Sequence, residues 1–262
     1  MSAIILRDEI IHYEVLGRGK PLIFLHDWVG SWRYWIPTMQ AASLSFRTYA
    51  LDLWGFGDTA KNPSHYSLEQ QMDLLNEFME EMGIGKVALI GHGFGAVLSI
   101  LFTLRHPTSV DRVLGISFPM NEEMINPRIR SGSPLELADW LLGRNSSHEA
   151  AWAEATKADP KAILLSLTGL QAVELNTLPT RLQTPLLLVH GLNDPAITVP
   201  SSDQVASLSE NTHHIVFEQS GHYPMLDEAN KFNRLLFDFL NLTSGASPRQ
   251  LQLKEEWKRR VR

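Results

Sequence analysis

Apolar and polar positions along this chain follow two rhythms, short β-like runs and longer stretches with helical spacing. The runs Ala3 to Arg7, Ile10 to Leu16, Pro21 to His26 and Arg47 to Asp52 predict strands, as do Lys86 to Ile90, Arg112 to Phe118, Pro185 to His190 and His213 to Glu218. The middle runs are almost wholly apolar, the pattern of strands covered by helices on both faces. In Leu68 to Met82 the apolar positions Met72, Leu74, Leu75, Phe78 and Met79 fall at helical spacing, and Gly83 and Gly85 close the stretch. Asn230 to Leu242 predicts a similar helix. Strands alternating with helices imply βαβ units and a largely parallel sheet, so the expected fold class is α/β.

Between Phe118 and Leu182 the alternation stops. Turn signals (Asn126-Pro127 and Ser131-Gly132-Ser133-Pro134) lead into helical stretches rich in Leu, Ala and Trp. Ser133-Pro134-Leu135-Glu136 fits a helix start, with a capping serine, proline in the first turn and an acid at the third position. The expected organisation is a core of residues 1–118 and 182–242, a helical cap of residues 119–181 and a C-terminal tail of residues 243–262. The cap is expected over the carboxyl edge of the sheet, where open α/β sheets bind ligands.

Composition narrows the field. The chain has 262 residues, 44% hydrophobic and 20% charged, ordinary values for a globular protein. It has no cysteine, which excludes disulfides, thiolate metal sites and a cysteine nucleophile. Neither a secretory leader nor an apolar run long enough to span a bilayer is evident, so the cytoplasm is the default location. The net charge is −6, but residues 249–262 carry six basic side chains against Glu255 and Glu256, leaving −10 on the body. An acidic body argues against nucleic acid as a partner.

Five motifs in order carry the chemistry. His26-Asp27-Trp28-Val29-Gly30 follows a strand, and Asp52-Leu53-Trp54-Gly55-Phe56-Gly57-Asp58-Thr59 follows the next. Gly91-His92-Gly93-Phe94-Gly95 lies between a strand run and a helical stretch. Val189-His190-Gly191-Leu192-Asn193-Asp194-Pro195 and Ser220-Gly221-His222-Tyr223-Pro224 close the series. The set resembles the α/β-hydrolase superfamily, esterase- and lipase-like with a helical cap, over nearly the whole chain up to about residue 242. The resemblance implies Asp194 as triad acid, His222 as triad base, and the N–H groups of Trp28 and Phe94 as the oxyanion hole.

Position 93 departs from that pattern. The elbow Gly-x-Ser-x-Gly lifts a serine onto a strained strand-to-helix turn, and here the residue is Gly93. Glycine accepts that backbone without a Cβ clash, so the turn survives while the nucleophile does not. His92 is no substitute, because the residue before the nucleophile points away from the pocket. Asp27 is a second departure, standing where the resembling loop has glycine. A carboxylate beside the oxyanion hole opposes the charge that acyl transfer develops there; the alternative is a solvent-facing side chain without effect.

Other candidates are weaker in chemistry. Ser31 and Ser117 are within plausible reach of the pocket, although each also reads as an ordinary loop or strand-end serine. Trp28, Trp54, Trp140 and Trp152 either shape a pocket or pack the core and cap. The tail places Leu253, Trp257 and Val261 on one potential helix face among basic residues, a pattern for touching a membrane surface, with a solvated terminus favoured. No cofactor or metal motif stands out, and oligomeric state leaves no signal. The leading expectation is a non-hydrolytic pseudoenzyme binding a small, apolar ligand or a partner. Two alternatives remain open: an esterase whose serine has been replaced, and an enzyme using His222 and Asp194 as a general base without a covalent step.

Overall fold

A computed structural model describes residues 2–144 and 148–251. Eight strands form one sheet: β1 (Ser2–Leu6), β2 (Glu9–Gly17), β3 (Lys20–Leu25), β4 (Phe46–Leu51), β5 (Val87–His92), β6 (Val110–Ile116), β7 (Leu186–Gly191) and β8 (Thr212–Phe217). Their order is β1-β2-β4-β3-β5-β6-β7-β8. Only β2 runs antiparallel to its neighbours β1 and β4; from β4 to β8 every pairing is parallel. All eight expected strands are present, shifted by a residue or two at their ends. The buried runs behave as their composition demands, with β5 and β7 buried along their whole length.

Helices connect the parallel strands: α1 (Ile36–Ala42), α2 (Leu68–Glu81) and α3 (Phe94–Arg105) precede β4, β5 and β6. In α2 the Ser67 hydroxyl accepts from the Gln70 N–H at the start, and Leu74, Leu75 and Phe78 face the core. Between β6 and β7 lie α4 (Arg128–Ser131), α5 (Pro134–Leu141), α6 (Glu149–Ala155), α7 (Pro160–Leu170) and α8 (Leu178–Arg181). The expected capping box opens α5: Ser133 and Glu136 each bond the other's backbone N–H. The short helices α9 (Ser202–Ala206) and α10 (Pro224–Asp227) and the longer α11 (Ala229–Leu240) complete the chain. The α1 helix packs on α11, whereas α3 packs on α2 and α8. Opposite crossover directions place these two sets on opposite faces of the sheet.

The chain leaves β3 toward β4 on one side and returns to β5 on the other. The loops after β3 and β5 therefore diverge at a topological switch point, where open α/β sheets form their crevice. Leu25 of β3 pairs with Gly91 of β5, so Asp27 and Gly93 lie two residues beyond the same rung. That register brings the two departures from the family pattern face to face. The tail pattern at Leu253, Trp257 and Val261 falls outside the described residues, and among the described residues no helix is long and apolar enough to cross a membrane.

Candidate active site

The elbow at Gly93 is built as a tight junction. Strand β5 runs to His92, and α3 begins at Phe94, so the turn is Gly93 alone, at φ 47° and ψ −107°. Gly93 N–H donates to the Ile116 carbonyl, and Gly95 N–H donates to the His26 carbonyl. At Gly95 an added Cβ would stand 2.3 Å from the Leu25 carbonyl oxygen, so the first turn of α3 lies directly against the end of β3.

Asp27 is not a solvent-facing side chain; it is fully buried, and its carboxylate enters the elbow. Oδ1 accepts the Phe94 N–H at 2.7 Å, and Oδ2 lies 2.9 Å from His222 Nε2. A Cβ on Gly93 would sit 1.8 Å from Asp27 Oδ1 and 2.3 Å from its Cγ, well inside any real contact. The carboxylate thus occupies the volume of the side chain that residue 93 lacks. It also takes up the Phe94 N–H that the family resemblance assigns to an oxyanion hole. Trp28, the other residue assigned there, is buried with its ring stacked on Phe94 and its Nε1–H donated to Ser166 of α7.

The acid and base meet as their order in the chain implies. Asp194, in the loop after β7, and His222, in the loop after β8, bond through His222 Nδ1 at 2.9 and 3.0 Å. Asp194 Oδ1 also accepts from the Ala196 and Ile197 N–H groups, at 2.8 and 3.0 Å. Ser117, at the end of β6, donates its hydroxyl to Asp194 Oδ2 at 2.8 Å and holds a positive φ of 49°. It is therefore a support for the acid, not a spare nucleophile. Ser31 is equally committed, accepting the Arg33 N–H as the cap of the turn Trp32–Trp35. Trp140 is half-buried on α5 with the Arg128 guanidinium 4.7 Å over its ring, and Trp54 is stacked on His65.

Two carboxylates bracket one imidazole in a sealed chamber: the side chains of Asp27 and Asp194 are 0% exposed and that of His222 is 1%. Burial opposes charge on His222, but the field of Asp194, the hydrogen bonds the ring donates to both carboxylates and the charge of Asp27 outweigh it and push the imidazole up to about 10. For Asp194, burial is overcome by the His222 charge and hydrogen bond and by the Ile197 and Ala196 N–H groups, which hold it below the usual carboxylate range. In Asp27 the same contest ends the same way, through His222 and the Phe94 N–H. The cluster is an ion triad of net charge −1, with His222 donating from both ring nitrogens.

One supporting residue carried no motif. Tyr34, in the aromatic run Trp32-Arg33-Tyr34-Trp35, accepts the Asp27 N–H at 2.9 Å and bonds His92 Nδ1 at 3.0 Å. Burial, and then the neighbouring His222 charge, push His92 down to about 3, so it is neutral and accepts from the Tyr34 hydroxyl. His92 does not turn away from the site as expected: its ring packs against that of His222, centroids 4.5 Å apart. Elsewhere, His214 Nε2 of β8 bonds His190 Nδ1 of β7 at 3.1 Å.

Sheet order, elbow and the Asp194–His222 pair together define the fold and site layout of an α/β hydrolase. The alpha/beta hydrolase family matches residues 22–235, and this chain belongs to it. Among curated proteins it is similar to a 2-hydroxy-6-oxo-2,4-heptadienoate hydrolase of Pseudomonas putida, 26% identical over 86% of this chain and 90% of that protein. It is also similar to the pimeloyl-[acyl-carrier protein] methyl ester esterase of Vibrio cholerae, 24% identical over 87% of this chain and 97% of that one. Among solved structures, an esterase from Exiguobacterium antarcticum superposes with a TM-score of 0.78 at 18% identity, covering 92% of this chain and 99% of that one.

Proposed function

We propose that this member of the alpha/beta hydrolase family is a pseudoenzyme toward carboxylic esters, with residues 119–181 as a helical cap closed over a non-catalytic site. One observation carries the reading: the Asp27 carboxylate stands in the volume of the missing nucleophile and takes the Phe94 N–H. Acyl transfer needs a nucleophile, a base and a free donor for the oxyanion. Gly93 removes the first, and Asp27 removes the third. The second is lost because an imidazole pushed up to about 10 is protonated at neutral pH and cannot accept a proton. The same protonation weighs against His222 as a general base in a non-covalent mechanism.

Binding rather than turnover is the remaining capacity. A cavity of about 600 Å³, the size that takes small ligands, opens at the amino ends of β3, β5 and β6, lined by Leu22, Val87, Leu240 and Leu242 with Lys20 and Lys86 at its rim. It lies at the opposite edge of the sheet from His222. The test is hydrolysis of p-nitrophenyl esters of two- to eight-carbon acids at neutral pH. Expected is no turnover above buffer, unchanged in His222→Ala; robust hydrolysis lost in His222→Ala overturns the reading.

A further inference from the structure

The chamber presents hydrogen-bond donors to the Asp27 carboxylate from two sides. One wall is the N-terminus of the twelve-residue helix α3, where the Phe94 N–H points outward and the helix dipole favours an anion. The other is the His222 imidazolium, whose charge is held in place by Asp194. Asp194 has its own donors in Ser117, Ala196 and Ile197, so the position of the ring does not depend on Asp27, while its hold on the proton weakens when that carboxylate leaves. Between them the space is one carboxylate wide. Its two donors take separate oxygens, at 2.7 and 2.9 Å, and the floor is open because Gly93 has no side chain.

We propose that this cradle is a binding site for short monocarboxylates and that Asp27 occupies it as a tethered ligand. The inference rests on the non-hydrolytic reading of the site and gives it a chemical identity. The acid product of an ester hydrolase presents two oxygens to the same pair of groups, the N–H that follows the elbow and the imidazole. This chain carries that carboxylate on its own loop. The tether is anchored separately, because the Asp27 N–H is held by Tyr34 Oη at 2.9 Å. The loop therefore keeps its place when the carboxylate is removed, and the empty cradle takes a free acid of matching size.

Size matching makes the test specific. Asp27→Gly deletes a methylene and a carboxylate, the heavy atoms of acetate. Asp27→Ala deletes the carboxylate alone, which leaves room for formate. Thermal unfolding is followed at neutral pH in acetate, formate or chloride at equal ionic strength. Acetate is expected to raise the midpoint of Asp27→Gly by about 3–6 °C at about ten times its dissociation constant. Formate is expected to do the same for Asp27→Ala while acetate does not, and the native chain responds to neither. By NMR, the His222 ring titrates lower in Asp27→Gly than in the native chain and climbs back on addition of acetate. If neither variant folds unaided, recovery of folded chain on refolding in the matching acid, against chloride, reads the same property.

Equal responses to chloride and to the acids, or no response to either acid, overturn the proposal. Ester turnover by the native chain would overturn the pseudoenzyme reading instead, so the two failures are distinguishable.

Discussion

Serine at position 93 is the substitution a motif comparison recommends, and the geometry predicts that it fails. The new Cβ would lie 1.8 Å from Asp27 Oδ1, so the carboxylate must leave the elbow. Leaving breaks its bonds to the Phe94 N–H and to His222, and breaking a buried charged pair costs about 3–5 kcal/mol. The left-handed backbone at φ 47° adds about 1–3 kcal/mol for a residue with a Cβ. Gly93→Ser should therefore cost about 4–8 kcal/mol, a fall of roughly 10–25 °C in melting temperature for a chain of this size. No esterase activity should appear. Combining it with Asp27→Gly removes the clash and leaves only the backbone strain, so the double variant should be about 1–3 kcal/mol less stable than Asp27→Gly alone. With one carboxylate withdrawn, His222 can accept a proton, and weak hydrolysis of p-nitrophenyl acetate dependent on His222 should emerge. Urea unfolding of all four proteins forms a double-mutant cycle. Additivity within about 0.5 kcal/mol would refute the coupling, as would a fully stable, active Gly93→Ser protein.

The ion triad also sets the response to pH. His222 is raised from its ordinary 6.5 to about 10, so across that interval the folded chain holds a proton the unfolded chain releases. Stability is then greatest below about pH 6.5 and falls by up to about 1.4 kcal/mol per pH unit as pH rises toward 10. Asp27 and Asp194, lowered in the fold, act in the opposite direction: their contribution is present above the usual carboxylate range and lost as pH falls through and below it. Urea denaturation between pH 5 and 9.5 checks the slope, and stability that is flat or rising above pH 6.5 contradicts it. At Ser117, replacement by alanine removes a hydrogen bond to a buried carboxylate and should cost about 1.5–3 kcal/mol. Glycine there loses the same bond but relieves the positive φ, so Ser117→Gly should be the more stable variant by chemical denaturation.

The scaffold was legible because its signals are local. Runs such as Val87–Ile90 and Leu186–Val189 are apolar enough to be strands only in a sheet covered on both faces, and the sheet covers them. The order of elbow, acid and base was likewise enough to bring Asp194 to His222. The direction of Asp27 was not legible. It depends on the register of β3 against β5, a pairing between segments 66 residues apart that no local pattern encodes. For that reason two departures that look like separate losses form one interlocked arrangement. Ser117 was visible as a polar residue at a strand end, but its partner lies 77 residues away. Tyr34 had only an aromatic run to mark it, a feature that packing alone accounts for.

The missing Cβ at Gly93 has a consequence for reading the sequences of relatives. Dependence between positions 27 and 93 runs one way: a carboxylate folded inward at 27 obliges glycine at 93, because nothing larger fits beside it. Glycine at 93 obliges nothing at 27. With the carboxylate of Asp27 folded inward, no single substitution can place a serine at position 93 without displacing it. Among relatives, an inward carboxylate at the position of Asp27 should therefore always come with glycine at the position of Gly93, whereas glycine there should come with any residue at the first position.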